Sequence, residues 1–391
     1  MLRFLTAGES HGPQLTVIVE GMPAGLSLEA PRDIDPQLRR RQGGHGRGKR
    51  QQIERDAARV TAGVRGGTTL GSPIALVIEN RDWENWKGPM QVEHEGFTAK
   101  PVTRVRPGHA DLAGALKYGF DDARNVLERA SARETAARVA AGSVARRLLE
   151  VIGIRVGSHV LRVGDVAAPE AALGELRWGD VDWDAVEQSP VRCPDAELSQ
   201  RMVHAIDAAR ADGDTLGGTA RVVATGVPPG LGTYVQWDRR LDGMLGEALL
   251  SIPSVKGVEV GAAAYAARSR GSVVHDAPAF EEGAGFQHRT NRQGGLTGGV
   301  TDGEDVWALV HFKPISTLLT PLRSVDMASG AEINAHYERS DICVVPAGAV
   351  VAEAMLAWVI AAAAVEKFGG DSVAELCRAV EAHRQAAKRL R

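Results

Sequence analysis

Arg129-Ala130-Ser131-Ala132-Arg133-Glu134-Thr135 begins the stretch on which the reading of this chain turns. Ser131, with Glu134 three positions on and an alanine-rich run behind it, has the form of a reciprocal helix cap. The hydroxyl would accept from the third amide while the carboxylate reaches back to the first. Ala136, Ala137, Val139, Ala140, Ala141, Val144 and Ala145 then predict a helix to about Leu149. Small side chains fall on nearly every face, so this helix is expected to be central and closely packed. Its first turn carries Arg129 and Arg133, with Arg124 just upstream. Cations there oppose the helix dipole unless an anion is present. Free amides, a serine hydroxyl and two guanidinium groups make an anion site. The competing reading pairs these arginines with Glu128, Glu134, Asp121 and Asp122.

Outward from that stretch, 391 residues exceed the usual single-domain length. A hydrophobic content of 44% supplies a large core, and a net charge of −3 gives no bias toward nucleic acid or membrane. Cys193, Cys343 and Cys377 are too far apart for a zinc pattern or a disulfide framework, so a reducing, cytoplasmic setting is expected and no metal site. The first six residues are too short an apolar stretch for a signal peptide. Ala354 to Val365, alanine-rich and following Glu353, reads as a buried helix rather than a membrane span.

Two histidines sit between small residues. Gly8-Glu9-Ser10-His11-Gly12 precedes a strand-like Leu15 to Val19, and Arg106-Pro107-Gly108-His109-Ala110-Asp111 follows an irregular stretch from Asn80. Glycine beside a histidine lets a ligand approach the backbone; a lone histidine is more often structural. Asp111 is expected to cap the helix through Lys117, and the long irregular stretch suits a lid or binding loop. Between residues 39 and 50, seven of twelve residues are Arg, Lys or His, interspersed with glycine. Three readings stay open: a solvated basic loop, a polyanion-binding arm, or an arginine clamp for a small phosphorylated ligand. A phosphate loop is excluded, because Arg50 replaces the required Ser or Thr and no apolar strand precedes it.

Farther on, residues 164–195 lack a period and read as surface elaboration. Leu198 to Ala211 and Leu241 to Leu250 read as helices, Ala220 to Val227 and Val306 to Phe312 as strands, and a long helix ends at Phe368. Neither a repeat nor a low-complexity linker divides the chain. The expectation is one α+β domain over residues 1–391.

Taken together, these motifs, with Asp212-Gly213-Asp214, Lys313-Pro314-Ile315-Ser316-Thr317 and Arg339-Ser340-Asp341, resemble the chorismate synthase family in content and order. The resemblance covers essentially the whole chain. It implies long central helices between antiparallel sheets in a β-α-β sandwich, and a homotetramer. It further implies a lyase that eliminates phosphate from 5-O-(1-carboxyvinyl)-3-phosphoshikimate to give chorismate, the shikimate-pathway precursor of aromatic amino acids, with reduced FMN. A substrate with a phosphate and two carboxylates needs several cations, which planar guanidinium groups supply. By the resemblance His11 protonates the leaving phosphate, His109 balances the reduced flavin, and Asp341 takes or relays the ring proton near flavin N5.

Ser10, Arg40, Arg47 and Arg133 are the implied substrate or NADP contacts. The implied flavin contacts are Arg129, Ala130, Ser131, Pro253, Ser254, Gly298, Lys313, Pro314, Ile315, Ser316, Thr317 and Arg339. The basic loop is one residue longer than the family form, which leaves open which of its arginines meets the phosphate. Fungal relatives reduce their own flavin with NADPH, whereas bacterial ones generally draw on an external reductase. No dinucleotide fingerprint follows a strand here. The rival reading is a non-enzymatic polyanion binder built on the 39–50 segment.

Overall fold

Two alanine-rich helices that touch through almost bare backbone hold this fold together. In the computed structural model, residues 1–48, 54–169, 176–338 and 340–388 are described. In chain order, the helices used below are α1 (Asp35–Gln42), α2 (Asp111–Tyr118), α3 (Arg124–Ala130), α4 (Thr135–Val151), α5 (Ala196–Ala211), α6 (Leu241–Leu250) and α7 (Val345–Phe368). Helices α4 and α7 cross where a Cβ on Gly142 would stand 2.5 Å from Ala354 Cβ and 2.6 Å from its carbonyl oxygen. Backbones approach this closely only if side chains are nearly absent, which explains the alanine pattern of both helices. Helix α7 is long and apolar enough to cross a membrane, but 89% of its most apolar window is buried inside the protein, so it is a core helix.

A four-stranded antiparallel sheet runs β1 (Arg3–Ala7), β2 (Gln14–Glu20), β4 (Ile74–Glu79), β3 (Ala58–Ala62) in spatial order. Alternation sets its inner face: Leu15, Val17 and Val19 are fully buried and pair with Ile78, Leu76 and Ile74. This sheet contacts α4 through β2. A five-stranded antiparallel sheet contacts α7 through β5 (Arg155–Val163) and β7 (Gly218–Thr225). Its remaining strands are β6 (Val166–Ala167), β8 (Val255–Val260) and β9 (Val306–Phe312), in the order β8-β9-β7-β5-β6. Strand β7 is buried on both faces. Ala220, Val222 and Ala224 join the main core, while Val223 joins Trp307 and Leu309 in a second cluster.

That second cluster corrects the reading of residues 164–195 as surface elaboration. Val181, Val186, Val191 and Cys193 are buried. The Trp183 ring lies where any side chain on Gly157 would go, 2.6 Å from its would-be Cβ. Tryptophans scattered in an aperiodic segment gave no sign that they cover a sheet.

The stretch quoted first also folds differently at its start. Ser131 Oγ accepts from the Arg133 amide at 3.3 Å, but Glu134 does not reach back. Its carboxylate instead accepts from Thr6 Oγ1 and Arg138. The serine caps a short 3-10 turn, Ala132–Glu134, that leads into α4. Arg129 stands in the last turn of α3, where a cation is favoured by the dipole rather than opposed.

Candidate active site

A cleft of about 380 Å³ opens at the junction of α3 and α4, within the size range of small-molecule sites, about 300–1,000 Å³. Other segments also reach it: the turn after β1, Arg41 on α1, residues 47–48, Glu54, Asp82 and Trp86, the loop 106–110, Pro253 and Ser254, residues 313–317, Glu338, and residues 340–344. Strand β9 places Lys313 just beyond its end, and the start of α7 fixes Asp341 and Val344.

At one corner sits His11, 9% exposed. Its Nδ1 lies 2.8 Å from Glu128 Oε1, and its amide donates to Glu128 Oε2 at 2.8 Å. The ring stacks on Trp86 with centroids 3.9 Å apart. Arg124 lies over the same indole and bridges Glu128 to Glu338. Burial alone would raise the Glu128 carboxyl, but the hydrogen bonds and charge of His11, with Arg124, hold it below the ordinary glutamate value. Ser131 Oγ donates to Ser10 Oγ, so the helix junction and the histidine turn are tied together.

His109 forms a second corner. Its Nδ1 lies 2.5 Å from Asp111 Oδ1, and Arg106 approaches both ring nitrogens, at 3.1 and 3.4 Å. Asp111 therefore does not cap α2 through its side chain; it holds His109 and Arg106. Burial acts against ionisation of Asp111, yet these two partners keep it well below the usual carboxylate range. Gly108, at φ +74°, offers its carbonyl to Lys313 Nζ at 2.7 Å and to Ser316 Oγ at 2.8 Å. Burial, then the charge of Lys256, lowers the Lys313 ammonium. Ser254 also adopts a left-handed φ of +74° at the cleft, a costly conformation for a side-chain-bearing residue.

Arginines line the floor. Arg133 is paired with Asp56 at 2.6 Å and bonded to Asn80 at 2.8 Å. Arg41 bonds Thr135 Oγ1, the Ala132 carbonyl and, at 3.3 Å, Asp56. Burial outweighs the pull of Asp56 and, with repulsion from Arg133 and Arg47, brings Arg41 down to about 10. Arg47 donates to Asp341 at 2.5 Å, and Asp341 also accepts from the Gly48 amide at 2.6 Å. Arg47 Nε is buried without a hydrogen-bond partner among the described residues. An unmet guanidinium N–H and a destabilised arginine are both features that an anionic ligand would relieve.

The structure thus brings together Ser10, His11, Arg47, His109, Ala130, Ser131, Arg133, Pro253, Ser254, Lys313, Ile315, Ser316, Thr317 and Asp341 on one cleft. Pro314 intervenes between two lining residues without lining the cleft itself. Arg40 turns away to Glu187 and Glu353. The Arg129 guanidinium bonds Thr6 and the Gly8 carbonyl outside the cleft. Gly298 lies in a turn whose nearest side chain is Tyr234, also away from it. Arg339 lies outside the described residues. Arg41, Trp86, Arg106 and Glu338 line the cleft without having been singled out by the sequence reading. Arg106 carried a signal in its position three residues before His109, Arg41 in the basic 39–50 segment, and Trp86 in the irregular stretch from Asn80; Glu338 carried none.

An α+β fold that gathers two carboxylate-held histidines and a floor of arginines into one cleft defines an enzyme for a small, multiply charged ligand. The family model described as chorismate synthase matches residues 2–365. The chorismate synthase of Moorella thermoacetica is 56% identical over 388 residues, covering 98% of this chain and 99% of the relative. That of Desulforudis audaxviator is 56% identical over 394 residues, covering 100% and 98%. A crystal structure of a chorismate synthase superposes with a TM-score of 0.80 at 39% identity, covering 99% of this chain and 98% of that one. The chain belongs to the chorismate synthase family, and it is a lyase. The rival polyanion-binding reading is not supported. Arg39–Arg41 lie in helix α1, and Arg40, Arg41 and Arg47 are each paired with carboxylates inside the protein.

Proposed function

We propose that this cleft carries out the 1,4-elimination of phosphate from 5-O-(1-carboxyvinyl)-3-phosphoshikimate, giving chorismate, with bound reduced FMN. The observation that carries the reading is the convergence of His11, His109, Arg47, Arg133 and Asp341 on one cleft in a chain of this family. The donor set fits both anionic molecules: buried guanidinium groups for phosphate and carboxylates, and backbone and hydroxyl groups of residues 130–131, 253–254 and 313–317 for the flavin. When bound, the flavin would supply an electron to the substrate transiently and recover it.

The chain's own residues do the rest. Arg47 and Arg133 neutralise and orient the phosphate, and His11 gives its proton to the leaving oxygen. Asp341, oriented by Arg47 and the Gly48 amide, takes or relays the proton lost from the ring. His109, with Arg106 beside it, offsets negative charge at the flavin side. Trp86 and the surrounding walls keep water from the reacting atoms. We further read the chain as one domain in a helix-between-sheets sandwich, assembled as a homotetramer in the cytoplasm and supplied with reduced flavin by a separate reductase. Anaerobic addition of reduced FMN and substrate, followed by absorbance, should show chorismate forming. No product under those conditions would refute the assignment of this activity.

A further inference from the structure

The His11 corner carries an inference that the reaction alone does not require. Both oxygens of one carboxylate, Glu128, are engaged by His11, and Oε1 also accepts from Arg124 at 3.2 Å. Oε1 lies 2.8 Å and Oε2 3.1 Å from Nδ1, while Oε2 also accepts the His11 amide. The Glu128 side chain is 2% exposed. An ionised carboxylate can only accept hydrogen bonds, so a bare Nδ1 here would set lone pair against lone pair with no water to intervene. The rest of the corner prevents the ring from turning away. Trp86 lies 3.9 Å from it, centroid to centroid, at 26°. The Ser10 amide donates to the Glu128 carbonyl at 2.9 Å, so the backbone of the turn is tied to the same residue.

We propose that Glu128 is the positioning residue for His11: it keeps a proton on Nδ1 and so presents Nε2, which has no partner among the described residues, to the cleft. The same carboxylate then stabilises the ring while it carries two protons and holds its direction after one has gone to phosphate. His109 is not held this way. Arg106 approaches both its nitrogens, so donor and acceptor compete for one ring. The bland alternative is that Glu128 merely neutralises Arg124, 3.2 Å away. In that case His11 would be indifferent to it.

The inference rests on His11 as the acid, and the test separates the two. In protein labelled with 15N-histidine, the His11 signals are assigned by their loss in His11→Gln. They should show Nδ1 bearing hydrogen in both the apo and the FMN-bound protein. A bare Nδ1 in the wild type overturns the proposal, whatever any variant does. Glu128→Gln removes the negative charge and one of the two accepting oxygens, putting an NH2 donor in its place. We expect turnover to fall by about 10- to 100-fold, the scale of an orienting partner within the about 10²–10⁴ that acid–base catalysis supplies. KM and FMN affinity should stay within about twofold, because the cleft contacts are untouched. Glu128→Asp, which keeps the carboxylate, should recover part of the loss. Wild-type turnover in Glu128→Gln with unchanged His11 signals also overturns the proposal. If turnover survives in His11→Gln, it is the acid assignment that fails.

Discussion

Arg40 and Arg41 are neighbours on α1, yet they belong to different regions of the molecule. Arg40 enters a closed cluster with Glu187 and Glu353, where Glu353 also binds Arg146 and the Ser158 hydroxyl. Arg41 faces the cleft floor with Arg133, Arg47 and Asp56. Burial works against both charges. For Arg40 the two glutamates outweigh it and hold the guanidinium above its ordinary value; for Arg41 burial, with repulsion from Arg133 and Arg47, outweighs the single carboxylate of Asp56, and it falls to about 10. Identical residues one position apart are therefore satisfied in the core and left wanting an anion in the cleft. A helix turns about 100° per residue, and that rotation is enough to separate a structural arginine from a ligand-facing one.

Breaking the cleft region should cost activity and spare the fold. His11→Ala and His109→Ala should each lower turnover by about 10²- to 10⁴-fold, while the melting temperature of the apo protein holds. Near-normal turnover in either would remove that histidine from the mechanism. Arg47→Ala should weaken FMN or substrate binding in fluorescence titrations, since its unmet Nε and its hold on Asp341 go together.

The core region should respond in the opposite way. Glu353→Ala takes the shared carboxylate from Arg40 and Arg146, both partly buried and left with Glu187 and Glu150, which should cost about 1–3 kcal/mol in denaturant unfolding. The folded fraction should still bind FMN as the wild type does. If unfolding free energy stays unchanged, the contrast between the two clusters fails.

Acid sharpens the same contrast. Burial would raise Glu353, but Arg40, Arg146 and Arg192 hold it near 2 against an ordinary 4.5. A depressed carboxyl stabilises the folded state fully above its unfolded value, and that contribution is lost as pH falls through the folded one. Stability should therefore decline from about pH 4.5 toward 2. Glu353→Gln should flatten that decline in melting curves; an unchanged acid limb would remove Glu353 as its source.

The smallest effect belongs to Arg129. At the C-terminal turn of α3, and partly exposed, its charge should stabilise the apo protein by only about 0.3–1 kcal/mol. Arg129→Ala should lose that much in denaturant unfolding and leave FMN titration unaltered. A marked loss of FMN affinity would return Arg129 to the flavin site despite its bonds to Thr6 and Gly8.

Much of this protein was legible without coordinates. Local rules placed α4, α6, α7 and the strands around Leu15, Val222 and Val310, because period and side-chain size act over a few residues. Motif order pointed to the family, and most of the residues it implied lie on one cleft. What failed was long-range or directional. The junction at Ser131 was read as the start of one helix, but two helices meet there, and so the sense of the Arg129 charge was inverted. Glu128 was visible as an acid near arginines, yet nothing local joins it to a histidine 117 positions away. The chain itself determined its elements, its small-residue helix crossing and the inventory of charges. Only the tertiary structure decided which arginines face carboxylates in the core and which face the cleft. That choice depends on what residues from distant strands and helices place within about 3 Å of each guanidinium, the range at which hydrogen bonds form.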